Sequence, residues 1–441
     1  MTITLRQLAE QARSASRQLA NLSTERKNEV LLAFARKIRE NTELILSANQ
    51  KDLGSADRLR SQGELSDSSI QRLKLNAVKI EQMAKNFESV AALPDPVGQV
   101  QLATRLDEGL DLHRISCPIG VLLVIFESRP EVVVQISALT LKSGNAVILK
   151  GGKEASESNA CLFGILDQVL REFTDLPDGT VNLLQSREAV SEIVQQNDCL
   201  DLIIPRGSNA LVQHIQQHSR VPVLAHADGI CHVYWDQAAS LSKVIEIIID
   251  AKTEYPAVCN AMETLLIHEQ IPENEIKQLL TNLLEAGVEI RACSAIMKKF
   301  SNKLNGIIHA SEQDWKTEYT DLILSVRMVS SLDEAIGHIN HYGSGHTDAI
   351  LTEDRSIAEK FMDQVDAANV FWNASTRFAD GFRYGFGAEV GVSTCKTHAR
   401  GPVGLDGLII HKYKLYGSGQ GVARYHEGGR QYLHQPLSRL N

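Results

Sequence analysis

The stretch VLLVIFESRPEVVVQISALTLKSGNAVILKGGK, residues 121–153, decides the fold class. It holds two short and almost wholly apolar segments, VLLVIF (121–126) and AVILK (146–150), which are typical of strands buried on both faces. Helix-forming stretches, such as residues 157–173, separate most strands of this kind along the chain. This alternation predicts an α/β fold built on a doubly wound parallel sheet. The further strands predicted for this sheet are VNLLQ (181–185), DLIIP (201–205), VPVLA (221–225) and CHVYW (231–235).

A second series of apolar strands begins near Glu263 and predicts a second doubly wound α/β domain. Residues 1–90, by contrast, have apolar residues at helical spacing, and the prolines and glycine of residues 93–100 indicate a linker. The strands predicted for the second domain are TLLIH (264–268), LILSV (322–326), DAILT (348–352) and NVFWN (369–373).

Alternating polar and apolar residues on both sides of the turn at 107–109 predict a β-hairpin over residues 100–116. A lone two-stranded ribbon is marginal in water, so we expect it to combine with the alternating strand at 408–416 and to serve oligomerisation. The predicted organisation is a cofactor-binding domain (1–99 and 117–236), a catalytic domain (237–375), a β-ribbon element (100–116 and 376–416) and a loose tail (417–441).

Composition excludes several classes of protein. Among 441 residues, 54 are acidic and 45 basic, and the net charge of −9 argues against sequence-independent nucleic-acid binding. The longest apolar run, residues 118–126, is far short of the roughly 20 residues of a membrane helix. Seven cysteines without a CxxC pair fit reduced thiols better than a disulfide framework or a zinc ribbon. We therefore expect a cytoplasmic protein without a metal site.

Two strand ends carry the residue types that bind an anionic cofactor. Ligands of open parallel sheets bind at the carboxyl ends of the strands. Lys150 ends one strand before two glycines, and Lys153 adds a second charge. Arg206, Gly207 and Ser208 end another strand and open a helix, where backbone N–H groups and a guanidinium can hold a phosphate. A solvated lysine and an ordinary turn are the plain alternatives, and the GxGxxG fingerprint is absent.

Cys259, in AKTEYPAVCNAMETLL (251–266), lies between two domain-sized blocks, where catalytic groups are common. A thiolate is a strong nucleophile, and positive potential lowers its pKa. A buried structural cysteine is the alternative interpretation. Nearby, His226, Asp228, Cys231 and His232 match no standard metal spacing, which favours a turn between strands.

Four long motifs resemble the γ-glutamyl phosphate reductase family, a diverged branch of the aldehyde dehydrogenase superfamily. The similarity extends over roughly residues 1–415. It implies NADPH-dependent reduction of L-glutamate 5-phosphate to L-glutamate 5-semialdehyde and phosphate, the second step of proline biosynthesis. The motifs occupy residues 124–155, 254–266, 342–354 and 373–391.

The resemblance places Cys259 at the nucleophile position, with its own backbone N–H and Ser128 as oxyanion donors. Lys153 stands where other members have a glutamate on the adenosine ribose, which favours NADPH over NADH. Asp321 falls near the glutamate that contacts the nicotinamide ribose, and His226 replaces the glutamate that activates water. The substrate's phosphate and α-carboxylate have their candidate partners in Arg129, Asn373, Ser375, Thr376 and Arg377.

Other functions are open at this point. An aldehyde-oxidising dehydrogenase would need a water-activating carboxylate, an acyl-CoA reductase would share the thioester, and a non-catalytic scaffold would need neither. The superfamily pattern implies a homodimer or homotetramer, and a glutamate 5-kinase is the expected functional partner.

Overall fold

The computed structural model describes residues 4–63, 65–185, 188–207, 209–224, 228–426 and 429–437. The chain divides into two compact units. Unit 1 contains Met1–Val223, Phe386–Val390 and Gly404–Asn441, and unit 2 contains Leu224–Gly385 and Gly391–Val403. Across the described ranges, we find no helix with both the length and the apolar character needed to cross a bilayer.

Unit 1 begins with helices, as the apolar spacing predicts. Side-chain caps define two of the starts: Thr4 and Gln7 form a capping box, and Ser23 accepts from the N–H of Arg26. The apolar faces pack together through contacts such as Phe34 on Phe87, whose ring centroids lie 5.1 Å apart. The helices are α1 (Leu5–Leu19), α2 (Thr24–Glu40), α3 (Thr42–Ser61), α4 (Asp67–Leu73) and α5 (Ala77–Ala92).

The predicted hairpin follows, with β1 (Val100–Asp107) antiparallel to β2 (Leu110–Pro118). A parallel sheet then forms in the order β5-β4-β3-β6, with its strands buried on both faces. VPVLA does not extend this sheet as a strand, because only Val223 bridges Ile203, and Ala225 lies outside the described residues. The elements are β3 (Val121–Phe126), α6 (Glu131–Lys142), β4 (Ala146–Gly151), α7 (Ser156–Glu172), β5 (Val181–Leu183), α8 (Glu188–Ile193), β6 (Leu202–Arg206) and α9 (Asn209–His218).

Unit 2 holds the second parallel sheet, in the order β10-β9-β11-β8-β7-β12-β13. Apolar clusters cover both of its faces, with Leu265 on one face and Leu266 on the other. The elements are β7 (Cys231–Trp235), α10 (Leu241–Thr253), β8 (Met262–His268), α11 (Glu273–Glu285), β9 (Glu289–Ala292), α12 (Ser294–Phe300), β10 (Ile307–His309), β11 (Ile323–Val329), α13 (Leu332–Tyr342), β12 (Thr347–Leu351), α14 (Arg355–Gln364) and β13 (Asn369–Trp372).

The two sheets confirm the predicted fold class, but the boundary between them differs from the prediction. CHVYW (231–235), assigned to a cofactor domain ending at 236, is β7 and pairs with β8 and β12 in the second sheet. All buried strands of such proteins have the same apolar pattern, so the pattern does not indicate which sheet a strand joins.

The β-ribbon contains less of the chain than predicted. β16 (Ile409–Tyr416) pairs antiparallel with β2, in register from Ile409–Pro118 to Tyr416–Asp111, as the alternating pattern suggests. However, residues 391–403, which we had assigned to the ribbon, belong to unit 2. There β14 (Val392–Ser393) pairs with β15 (Gly401–Pro402).

The described part of the tail packs on the ribbon, which corrects the expectation of a loose segment. β17 (Gln435–Pro436) pairs with β1. Asp107, in the hairpin turn, accepts hydrogen bonds from Tyr425 Oη at 2.7 Å and from Arg430 Nη2 at 2.8 Å. The partners are more than 300 residues apart in sequence, so no local pattern could have indicated this contact.

Candidate active site

The carboxyl edge of the first sheet brings together most of the residues predicted to bind a cofactor. From β3 the chain moves outward to β4 and β5, and then returns to the other side of β3 to form β6. The edge between β3 and β6 is therefore the topological switch point, where ligands of such sheets bind. Phe126 is in register with both Gly151 and Arg206, which brings Lys150 and Arg206 to this edge.

The two lysines at this edge differ in exposure. Lys150 is buried, and its Nζ donates to the carbonyl of Gly151. Lys153 is exposed and begins a 3₁₀ turn that leads into α7. Between them, a Cβ on Gly152 would lie 2.1 Å from Oε1 of Glu154, so any larger residue would require that carboxylate to move. The edge thus presents one exposed cation, Lys153, next to a buried one.

Ser128, predicted as an oxyanion donor, is committed to another contact. Its N–H and its Oγ both donate to Oε1 of Glu154, at 2.6 and 3.0 Å. The side chain is buried, and the backbone has a φ of 50°, in the left-handed region that non-glycine residues rarely adopt. Ser128 therefore anchors the turn after β3 in this structure, and its role as an oxyanion donor stays a prediction.

Two arginines flank that turn. Arg129 is half-buried, and its guanidinium makes no hydrogen bond or ion pair with any residue that the structure describes. The carbonyl of Arg206 accepts the N–H of Glu127 at 3.1 Å. A Cβ on Gly207 would lie 2.5 Å from Oε2 of Glu127, so a larger residue there would displace that carboxylate. The predicted phosphate ligand Ser208 lies outside the described residues.

In unit 2, Cys259 lies in the turn that leads from α10 to the amino end of β8, and it is half-buried. The backbone of Gly229 packs directly against this turn. A Cβ built on Gly229 would lie 2.2 Å from the carbonyl oxygen of Cys259 and 2.5 Å from its Cα. The predicted nucleophile is thus held by a contact that tolerates only glycine.

The side chain of Cys231 also contacts the Cys259 turn, through a hydrogen bond. It is fully buried at the start of β7, and its Sγ lies 3.2 Å from the carbonyl oxygen of Cys259, to which it donates. Burial raises the pKa of the Cys231 thiol well above its usual value, so the thiol stays protonated and remains a donor. The two cysteines therefore differ: Cys231 is a buried, protonated donor, and Cys259 is partly exposed.

Arg377 lies next to this turn but already binds a carboxylate. Its Nε and Nη2 contact Oε2 of Glu254 at 2.8 and 2.7 Å, and Arg383 contacts Oε1 at 3.3 Å. Hydrogen bonding to Arg377 holds the pKa of Glu254 below its usual range. Asn260, directly after Cys259, donates to the carbonyl of Ala379 at 2.9 Å. These contacts join the segment after β13 to the Cys259 turn.

The structure gives Asn373 and Ser375 local roles that differ from the predicted substrate contact. The amide of Asn373 accepts from the N–H of Thr352 at 3.0 Å and donates to its carbonyl at 2.9 Å. Asn373 also follows the carboxyl end of β13, whereas Cys259 precedes the amino end of β8, at the opposite edge of the sheet. Ser375 Oγ caps a short 3₁₀ turn by accepting the N–H of Arg377. Thr376 is completely buried.

Asp321 and its neighbour lead to a pair of residues that sequence reasoning missed. Asp321 is exposed, and its Oδ1 accepts the N–H of Leu322 at 2.8 Å. The N–H of Thr320 points to Glu263, whose other carboxylate oxygen forms a fully buried ion pair with Lys252 at 2.6 Å. The signal was present in the sequence, because Glu263 is an acidic residue in a mostly apolar strand, METLLIH, that is buried along its length.

A polar cavity of about 370 Å³ opens at the amino end of β12, on the same edge of the sheet as Cys259. Asp366, Lys396 and Arg400 line it, and both cations pair with Asp366. Another lining residue, Ser344, accepts the N–H of Ile230 at 2.9 Å, next to Gly229. Within the described residues, no group of three His, Cys, Asp or Glu side chains is placed to hold a metal.

Comparisons with known proteins agree with this geometry. The aldehyde dehydrogenase family model matches residues 4–292 and 308–389. A γ-glutamyl phosphate reductase from Pelotomaculum thermopropionicum is 48% identical over 435 residues, covering 99% of this chain and 98% of its own. One from Haloquadratum walsbyi is 50% identical over 417 residues, covering 94% and 91%. Since 435 residues align, the similarity continues into the tail beyond residue 416, which we had placed outside it.

The solved structures give the same result. The crystal structure of γ-glutamyl phosphate reductase from Thermotoga maritima superposes with a TM-score of 0.88 at 40% identity, covering 96% of this chain and 99% of that one. Membership of the aldehyde dehydrogenase family implies a nicotinamide cofactor. The chain belongs to the γ-glutamyl phosphate reductase family, within the aldehyde dehydrogenase superfamily.

Proposed function

We propose that the chain reduces L-glutamate 5-phosphate to L-glutamate 5-semialdehyde and inorganic phosphate with NADPH, through a thioester on Cys259. One observation carries this proposal: an accessible thiol is held at the end of a parallel sheet by a glycine contact and a buried thiol donor. Nearly full-length identity to relatives that bear the reductase name supports the acyl phosphate as the substrate.

In the first step, the Cys259 thiolate attacks the γ-acyl carbon, the bond from that carbon to the phosphate oxygen breaks, and phosphate leaves. The phosphate already activates the acyl group for attack. The step consumes no water, so it needs no residue that activates water. The negative oxygen of the tetrahedral species needs a donor, and the backbone N–H of Cys259 is the candidate. Cys231 supports the step indirectly, because its hydrogen bond to the carbonyl of Cys259 fixes the orientation of that turn.

In the second step, the nicotinamide, when bound, supplies the hydride that reduces the thioester. The C–S bond to Cys259 then breaks, the aldehyde is released and the thiolate is regenerated. The switch point at the carboxyl edge of the first sheet fits a dinucleotide, since buried and exposed cations meet there. The residues that would hold the cofactor are Lys150, Lys153, Arg206, Gly207 and Ser208, with Asp321 on the nicotinamide ribose.

The substrate's anionic groups need cationic partners. Arg129 is one candidate, because no described residue occupies its guanidinium. Arg377 is the second candidate: its guanidinium, which pairs with the carboxylate of Glu254 in this structure, would exchange that partner for the substrate's carboxylate. We keep Thr376 as a neighbour of that site, and we leave Ser128, Asn373 and Ser375 out because their polar atoms serve local turns.

We also propose a homodimer or homotetramer that assembles through the β-ribbon. β16 is exposed along nearly its whole length and carries uncovered apolar side chains, including Tyr413 and Leu415. A glutamate 5-kinase in the cytoplasm would supply the labile acyl phosphate. Alternative acyl donors differ in the group that leaves: a coenzyme A thioester would release coenzyme A, whereas the proposed substrate releases phosphate.

The reverse reaction tests the substrate class. The protein should reduce NADP⁺ with the cyclised semialdehyde only when inorganic phosphate is present, because phosphate must attack the thioester to release the product. Cys259→Ala should lose at least a thousandfold in rate while still binding NADPH, as measured by fluorescence titration. Phosphate-independent turnover would indicate an ordinary aldehyde dehydrogenase, and an active Cys259→Ala variant would refute the nucleophile.

The contact at Gly229 gives a second test. In Gly229→Ala the new methyl group would overlap the Cys259 backbone, so the turn must move, and we expect kcat to fall at least a hundredfold. Gly337→Ala in α13 is the matched control, since a Cβ there meets nothing within 4 Å. Equal steady-state kinetics for the two variants would show that the position of this turn does not matter for catalysis.

Charge at Lys153 tests the choice of cofactor. In water, two unit charges in contact attract or repel each other by about 1 kcal/mol. Replacing the lysine by a glutamate turns attraction of the 2′-phosphate into repulsion, so the binding free energy of NADPH relative to NADH should change by about 2 kcal/mol. The ratio of kcat/KM for NADPH over that for NADH should therefore fall about ten- to thirtyfold in Lys153→Glu. Lys298→Glu makes the same charge change on the exposed side of α12 and should leave the ratio unchanged. A shift of equal size in both variants would contradict a specific contact.

A further inference from the structure

A fully buried ion pair brackets the Cys259 turn. Lys252 lies in the last turn of α10, and Glu263 is the second residue of β8. Their side chains are completely buried, with Nζ and Oε2 2.6 Å apart. Cys259 lies on the segment between these two residues, residues 253–262, so the ion pair connects the two ends of that segment.

Burying two charges costs several kcal/mol per ion, and apolar side chains of similar volume would join a helix to a strand without that cost. The ion pair offers something that an apolar pair cannot, namely a directional contact with a second acceptor. The free carboxylate oxygen of Glu263 accepts the N–H of Thr320 at 3.3 Å. Thr320 has a φ of 54°, in the left-handed region, so this hydrogen bond holds a strained backbone directly before Asp321.

From this arrangement we propose that Lys252 and Glu263 are positioning residues, which hold the Cys259 turn and the Thr320–Asp321 backbone in their reactive arrangement. The proposal rests on Cys259 being the nucleophile of the proposed function. Neither residue touches the reacting atoms. Each acts through another segment: Lys252 through the end of α10, and Glu263 through the start of β8 and the backbone at Thr320.

The titratable groups around the pair make it sensitive to pH. Among the described residues, Glu318, Asp321 and the Cys231 thiol act on the pair, and Cys259 and Asp348 in turn act on Cys231. Burial raises the pKa of Glu263 to about 7, although Lys252 opposes the shift, and burial lowers the pKa of Lys252. Above about pH 7 the Glu263 carboxylate is ionised and the ion pair is complete; as the pH falls through 7, Glu263 takes up a proton and the Lys252 ammonium loses its counter-charge.

Three variants separate positioning from simple stability. Lys252→Met and Glu263→Leu each leave one buried group without its partner and should unfold at lower temperature. The double variant Lys252→Met/Glu263→Leu removes both charges and should regain most of the lost thermal stability. We expect its kcat to stay at least tenfold below that of the wild type, with KM within threefold, because the contact with Thr320 is missing. Recovery of kcat together with the melting temperature would overturn the proposal.

Alkylation of Cys259 by iodoacetamide, followed by mass spectrometry of its peptide, is the second measurement. The wild-type rate should show two inflections with pH, one from the thiol and one near pH 7 from Glu263, and the double variant should keep only the first. A wild-type profile with one inflection, or an unchanged profile in the double variant, would contradict the proposal. Removing the exposed pair Lys243–Glu353 by the same substitutions is the control and should change neither measurement.

The Cys259→Ala variant separates this proposal from the one on which it rests. Full activity in Cys259→Ala refutes the thioester mechanism itself. If Cys259→Ala is inactive while Lys252→Met/Glu263→Leu works at the wild-type rate, the nucleophile stands and only the positioning role is refuted.

Discussion

The backbone contact between Gly229 and the Cys259 turn is the constraint on which the rest of the site depends. Two chain segments approach so closely that a single methyl group would overlap three atoms of Cys259. Such contacts fix a backbone more tightly than side-chain packing, because neither side has a rotamer that can yield. Cys231 adds a hydrogen bond to the same turn, and the Lys252–Glu263 pair joins its two ends. Cys259, which is partly exposed, is thus held in place from three directions.

The chemistry divides between the two units in a way that follows from their sheets. In unit 1, cationic residues collect at the carboxyl edge around the switch point, where parallel strands present backbone N–H groups and side chains to a bound anion. In unit 2, Cys259, the proposed nucleophile, lies at the amino edge, just before β8. Glu254 holds Arg377 and Arg383 next to it, so the guanidinium groups are already oriented toward a carboxylate.

Sequence patterns could predict the strands, the helical start and the hairpin, because burial and turn formation leave local signals. They could not assign CHVYW to the second sheet, since apolar strands look alike whichever sheet they join. Nor could they distinguish polar loop residues that would bind a substrate or cofactor from polar loop residues that only hydrogen-bond to other parts of the protein. Ser128 and Asn373 have the residue types of a binding site, but their partners, Glu154 and Thr352, are brought to them only by the tertiary fold. Long-range pairs such as Asp107 with Arg430 leave no local signal at all.

Direct detection of the acyl-enzyme tests the central claim. The wild-type protein, mixed with γ-glutamyl phosphate generated in place by a kinase and ATP, would be quenched in acid without any nicotinamide, digested and analysed by mass spectrometry. The account predicts a glutamyl adduct on the Cys259 peptide that hydroxylamine removes, as expected for a thioester. An unmodified Cys259 peptide in this mixture, from a protein sample that turns over once NADPH is added, or an adduct on another cysteine, would contradict it.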